Sequence, residues 1–166
     1  LLPSTIESKE QVLNVQWNVP ALTLQDSPRF PYRGLLLDVS RCFIPKENVV
    51  KIIDCMSMLK LNKLHLHLVD DNGWRLEIKK YPQLTEIGAW RVEREKDFSQ
   101  RKNAKAGEPT PVGGFYTQED MKEIIAYAHA RQVEIIPEIE MPAHTNSSLA
   151  AFPELACPVV KDPIRV

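Results

Sequence analysis

From Arg33 onward, apolar residues fall into two alternating patterns, unbroken runs that suit strands and spaced stripes that suit helices. RGLLLDVS (33–40) is an almost continuous apolar run, the form of a strand buried on both faces of a parallel sheet. Pro45 then stands where a first helical turn would begin, and Val49, Ile52, Ile53, Met56 and Leu59 recur at helical spacing. An amphipathic helix is expected there. NKLHLHLVDD (62–71) reads as the second strand. The following GWRLEIKKYPQL (73–84) alternates and carries Pro82, which predicts a small ribbon at a sheet edge. In TQEDMKEIIAYAHARQ (117–132), Thr117 and Asp120 form a capping-box pattern, and Met121, Ile124, Ile125 and Ala128 make the stripe of a second helix. VEIIPEIEMP (133–142) is the third strand.

Strand, helix, strand, insertion, helix, strand is the grammar of an α/β protein with a parallel sheet. A doubly wound sheet would announce itself with a glycine-rich first turn, and DVSRCFIP (38–45) contains no glycine. The pattern therefore predicts the opening arc of a (β/α)8 TIM barrel, about three βα units of it.

Composition narrows the function classes. With 43% hydrophobic and 26% charged residues over 166 positions, the chain has the make-up of a globular domain with a sizeable core. A formal net charge of −1 leaves no electrostatic footprint for nucleic acid or an anionic membrane. The one charge-dense stretch, RVEREKDFSQRKNAK (91–105), mixes both signs and reads as a solvated loop. Cys42, Cys55 and Cys157 show no C-x-x-C spacing and are odd in number, so neither a disulfide framework nor a zinc knuckle is indicated. No apolar run is long enough to span a bilayer. The opening LLPSTIESKEQ reads like the tail of an upstream element, and ACPVVKDPIRV closes without a helix or cap; a piece of a longer polypeptide is expected.

Candidate chemistry gathers where the strands end. Asp38 and Arg41 follow the first, Asp70 and Asp71 the second, and Glu138, Glu140 and His144 the third. In a barrel these ends form the rim on which active sites are built. Asp38 and Glu138 fall within apolar runs and read as structural charges paired across strands. Arg41 offers a planar fork for sugar hydroxyls, and Glu140 is placed to orient the His144 imidazole.

Strand parity sets His65, His67 and Val69 on one face and Leu66, Leu68 and Asp70 on the other, so the histidines are not expected to meet Asp70. A metal-dependent hydrolase would need His65 and His67 to converge with Asp71. The plainer alternative is two hydrogen-bonded core histidines beside a solvated acidic turn, and a third places the aspartates against a polar substrate at a barrel mouth. No Ser-His-Asp pattern, Walker loop or H-E-x-x-H is present.

FPYRGLLLDVSR, LNKLHLHLVDDNGWRLEIKKYPQLTEIGAWR and GGFYTQEDMKEIIAYAHARQVEIIPEIEMPAHT together strongly resemble the β-N-acetylhexosaminidases of glycoside hydrolase family 20. The similarity runs from about Pro28 to Pro153. It implies that residues 28–166 are the N-terminal part of a catalytic barrel, and that residues 1–27 hold the end of a preceding small α/β domain and a linker. It further implies an exo-acting enzyme that removes terminal N-acetylglucosamine or N-acetylgalactosamine from β-linked glycans. In the family mechanism the substrate's own acetamide attacks the anomeric carbon, with no metal or cofactor.

By this resemblance Arg41 and Asp70 match the residues that bind ring hydroxyls, Asp70 at carbon 4. Glu140 and His144 match the pair that supports the general acid from behind, and His65 and His67 serve the fold. The sequence departs from the family pattern at Cys42, Leu66 and Ala143, where histidine, tryptophan and glycine are common. The family's adjacent Asp-Glu pair, which supplies the acid and the acetamide-orienting carboxylate, has no counterpart after His144. The chain alone is accordingly expected to be inactive, and the remainder of the same polypeptide is its implied partner beside the glycan. A periplasmic, extracellular or lysosomal setting follows from the same resemblance. A non-catalytic carbohydrate-binding fragment is the alternative outside enzymology.

Overall fold

The computed structural model of the chain describes residues 13–14, 21–93, 105 and 107–158. It divides into two units, Leu1–Pro31 and Tyr32–Val166. In the first, residues 21–31 form no helix or strand, and the Arg29 guanidinium lies 5.2 Å from the Phe30 ring centroid. The LLPSTIES segment falls outside the described residues.

The second unit is built on three parallel strands in the order β1-β2-β7: β1 (Gly34–Asp38), β2 (Lys63–His67) and β7 (Glu134–Glu138). Helix α1 (Lys46–Met58) connects the first two, and α3 (Gln118–His129) precedes the third. Between them lie two antiparallel ribbons, β3 (Val69–Asp70) with β4 (Gly73–Trp74) and β5 (Trp90–Arg91) with β6 (Val112–Gly113), and the one-turn α2 (Gln83–Glu86). A short α4 (Asn146–Ala151) follows β7.

Register explains the two faces of the sheet. Leu35, Leu64 and Ile135 are aligned across the strands, as are Leu37, Leu66 and Pro137. Leu64 and Leu66 are fully buried in a core with Val49, Ile53 and Met56 of α1 and Ile124 and Ala128 of α3. Burial of each such aliphatic side chain contributes about 1.5–3 kcal/mol. The other face carries the rows Leu36–His65–Ile136 and Asp38–His67–Glu138. Leu36 is 54% exposed there, so β1 is not covered on both sides as its apolar run suggests.

Both long helices end in the same turn. At α1, Leu61 N–H donates to Met56 O (2.8 Å) and Lys60 N–H to Ser57 O (3.0 Å), with Lys60 at φ 57. At α3, Val133 donates to Ala128 O (2.9 Å) and Gln132 to His129 O (3.0 Å), with Gln132 at φ 60. This is the Schellman arrangement, here with non-glycine residues in the left-handed position. It leaves Leu59, expected in the α1 stripe, 72% exposed past the last turn. Ile125 is likewise half exposed, because Met121, Ile124 and Ala128 already fill the buried stripe of α3. The capping box is formed as expected, with Asp120 N–H donating to Thr117 Oγ1 and Thr117 N–H to Asp120 Oδ2, both at 3.0 Å.

The edge ribbon expected over 73–84 breaks up. Only Gly73–Trp74 pairs as a strand, Leu76 makes a single bridge to Tyr116, and Pro82 heads α2 rather than marking an edge. Arg75 accounts for the distortion. It is fully buried and donates to the carbonyls of Val39, Ser40, Asn72, Ala89 and Gly114 at 2.5–3.3 Å. A Cβ on Gly73 would come within 2.2 Å of its guanidinium carbon, so this close approach requires glycine. Most of the charge-dense stretch, 94–104, lies outside the described residues.

Candidate active site

Because the three strands are parallel, their C-terminal ends converge and deliver Asp38, His67 and Glu138 as one row. Arg41, on the turn after β1, folds back: its backbone N–H donates to Asp38 Oδ1 (2.9 Å) and its Nη1 to Asp38 Oδ2 (2.7 Å). Its Nη2 reaches Asp70 Oδ2 at 2.5 Å. Burial pushes the Asp38 carboxyl up, but the Arg41 N–H groups and charge outweigh it and hold it below the usual carboxylate range.

The parity argument fails at Leu68. His67 Nε2 lies 3.0 Å from Asp70 Oδ2, although alternation puts them on opposite faces. β2 ends at His67, Leu68 belongs to no strand, and β3 begins afresh at Val69. Leu68 N–H still donates to Glu138 O (3.2 Å), while Leu68 O accepts from Arg75 N–H (2.9 Å), so this residue hands the chain from β7 to the β3–β4 ribbon. At that change of partner the phase of alternation shifts and Asp70 comes onto the histidine face. There its side chain is only 2% exposed, while Arg41 and His144 above it are about half exposed at 45% and 47%.

The histidine face is charge-rich. His67 Nδ1 lies 2.9 Å and His65 Nε2 2.6 Å from the same Glu138 oxygen, close contacts whose angles are not those of well-aligned hydrogen bonds. Burial pulls His67 down, yet Asp70 and Glu138 outweigh it and raise its proton affinity. Burial likewise pushes Glu138 up, and His67 brings it below its ordinary value.

His144 does not pair with Glu140 as the spacing suggests. Its Nδ1 sits 3.6 Å from Asp70 Oδ1 and 3.5 Å from Asp71 Oδ2. Glu140 instead lies beside Glu138 and His67. The chain turns sharply between them, with His144 itself at φ 52, and four residues of irregular backbone do not share a face as four residues of helix would.

The trio considered for a metal, His65, His67 and Asp71, is not brought together: the histidines meet Glu138 while Asp71 meets His144. Among the described residues, ligand atoms gather instead as His67, Glu138, Glu140 and as Asp70, Asp71, His144. A cavity of about 490 Å³ opens at the other end of β2 and β7, beside Lys63 and Glu134, and is separate from this cluster.

Supporting residues escaped the sequence reading. Ser147, fully buried, donates to Asp70 O (2.7 Å), and buried Ser40 donates to Gly73 O (2.7 Å). Asp71 N–H caps Asp70 Oδ1 at 2.6 Å. The signal available was the turn residue pair Asn72–Gly73 directly after the aspartates, which marks the chain reversal that makes these contacts possible.

Residues 30–165 match the family described as Glycosyl hydrolase family 20, catalytic domain. The chain is 46% identical over 157 residues to a β-hexosaminidase of Porphyromonas gingivalis, covering 95% of this chain and 18% of that protein. A solved exo-β-N-acetylglucosaminidase of Vibrio harveyi, in complex with N-acetylglucosamine, superposes with a TM-score of 0.69 at 45% identity, over 81% of this chain and 20% of that one. For the N-acetyl-β-hexosaminidase of Streptomyces plicatus the values are 0.67, 41%, 84% and 25%. The chain thus spans a quarter or less of these relatives, and its α/β arrangement is similar to theirs.

Proposed function

The chain belongs to glycosyl hydrolase family 20, as part of its catalytic domain, and from that membership we propose that it opens the barrel of an exo-acting β-N-acetylhexosaminidase. Residues 28–166 form the first βα units of that (β/α)8 barrel, and residues 1–27 the end of the domain before it. The substrate class is a β-linked glycan with a terminal N-acetylglucosamine or N-acetylgalactosamine. Catalysis is substrate-assisted and retaining, the acetamide oxygen attacking the anomeric carbon.

The observation that carries this reading is the Arg41 fork at the strand ends, held by Asp38 and Asp70 yet 45% exposed. Such a fork donates to ring hydroxyls, and a hydroxyl that enters beside it can donate in turn to Asp70. His144, beside the two aspartates and also half exposed, supports an acid contributed from elsewhere in the polypeptide, and Glu140 acts from its place beside Glu138 and His67. The acid and the acetamide-orienting carboxylate come from outside this chain, which alone does not hydrolyse glycosides.

The test is an assay of the purified 166-residue chain against a chromogenic N-acetyl-β-glucosaminide, beside the longer hydrolase that contains it. Turnover is expected only from the longer protein. Comparable rates from both would sink the placement of the acid elsewhere, and no turnover from either would sink the assigned activity.

A further inference from the structure

We propose that His67 is a positioning residue for sugar recognition: clamped as an imidazolium between Asp70 and Glu138, it keeps the Asp70 carboxylate turned toward Arg41. The inference rests on the reading that Arg41 and Asp70 bind the sugar.

Geometry supplies the argument. His67 is more than nine-tenths buried, and both of its ring nitrogens face carboxylate oxygens, Nε2 that of Asp70 at 3.0 Å and Nδ1 that of Glu138 at 2.9 Å. A neutral imidazole has one N–H and one lone pair, so it would set the lone pair against one of the two anions. Only the doubly protonated ring turns an N–H toward both.

Charge balance points the same way. Asp38 faces His67 from β1, Asp70 from β3 and Glu138 from β7, with Glu140 just beyond. The fixed cation that answers them is Arg41, already shared by Asp38 and Asp70, and two histidines on β2 stand beside it. His65 reaches only Glu138, so His67 is the histidine that touches Asp70. His144 is 3.6 Å from the other Asp70 oxygen and exposed, too loosely placed to fix it. The raised proton affinity of His67, net of a burial effect in the opposite direction, agrees with this picture.

The functional consequence is directional. Asp70 Oδ2 is held by two cationic donors, one rigid and buried, one flexible and exposed. Loss of the His67 charge leaves Asp70 Oδ2 to Arg41, which Asp38 also draws, while Oδ1 keeps the Asp71 N–H. Oδ2 is then less firmly aimed, and the hydroxyl it accepts loses its place.

The experiment uses the longer hydrolase with a substrate and its 4-deoxy analogue. His67→Gln is expected to lower kcat/KM for the substrate by about tenfold to a hundredfold, with little further loss when combined with Asp70→Asn. On the 4-deoxy substrate the His67→Gln penalty should largely disappear, whereas a merely structural histidine would cost equally on both. If Asp70→Asn itself fails to distinguish the two substrates, the sugar-binding reading falls and takes this inference with it. If Asp70→Asn distinguishes them and His67→Gln does not, this inference alone is overturned. Nitrogen-15 NMR of the unsubstituted protein decides independently of any variant's folding. Both His67 ring nitrogens should carry protons at pH 7, and a singly protonated ring there would refute the clamp.

Discussion

Two cations are buried within a few residues of each other, and they are satisfied in opposite ways. Among the described residues, Arg75 donates to backbone carbonyls and to no carboxylate. Both ring nitrogens of His67 face carboxylates. Burial, chiefly, pulls the Arg75 guanidinium down to about 10, so it stays charged throughout the neutral range and its five neutral partners do not titrate. The partners of the His67 ring are charged side chains instead. The difference separates scaffold from chemistry: Arg75 ties the turn after β1 to the β3–β4 reversal and to both strands of the outer ribbon, fixing shape without a response to pH. The His67 row concentrates charge that a ligand or a proton can redistribute.

The most damaging way to break the comparison is Arg75→Leu, which leaves five carbonyls without their donor. It is expected to cost about 3–5 kcal/mol, read as a fall in the urea midpoint, and the cost should be the same at pH 5.5 and 8.5. A loss that depended on pH across that range would show that Arg75 shares the charge of the site after all.

Next in size is the recognition pair. Arg41→Ala and Asp70→Ala in the longer hydrolase should each lose roughly tenfold to a hundredfold or more in kcat/KM. Near-normal kinetics with both would return the site to a structural ion cluster.

Smaller still is the pH dependence of stability. His67 has a raised proton affinity in the folded chain, so its contribution is complete below the unfolded value of 6.5 and disappears as pH rises through the higher folded value. Asp38 and Glu138 are lowered from 3.8 and 4.5, so theirs is present above those values and is lost as pH falls through the folded ones. Stability of the chain should therefore decline on both sides, and His67→Gln should flatten the alkaline side only. An unchanged alkaline slope in that variant would place the titration on another group.

The least effect belongs to a charge outside both centres. Asp120 is held at about 2, first by the Lys46 ammonium and then by the Thr117 hydroxyl, at the start of α3. Asp120→Ala should cost about 1 kcal/mol of unfolding free energy and leave sugar recognition untouched. Altered kinetics in this variant would mean that α3 communicates with the strand ends.

Periodicity revealed what repeats and missed what happens once. The stripes of α1 and α3 and the three parallel strands were legible because burial against a sheet imposes a period on many residues at a time. Leu68 was not, since a single change of ladder partner leaves no pattern of its own, yet it lies between His67 and Asp70, which alternation would keep apart. Arg75 was hidden for a related reason: its acceptors are backbone carbonyls, which look the same in every sequence. Arg41 and Asp70 stood out as charges at strand ends, whereas the partner of His144 was misread, because spacing of four has meaning on a helix and none in a turn.

The phase reset at Leu68 also bears on the order in which the cluster assembles. With Asp70 swung back, His67–Asp70 joins residues only three apart, as Asp38–Arg41 does. Contacts that close such short loops cost little chain entropy and form on fast, local timescales. The link from His67 to Glu138 must wait until β7 docks beside β2. On a chain emerging from its N-terminus, half of the cluster can therefore be in place before its last carboxylate has been synthesised, and arrival of β7 completes a charge arrangement already waiting for it.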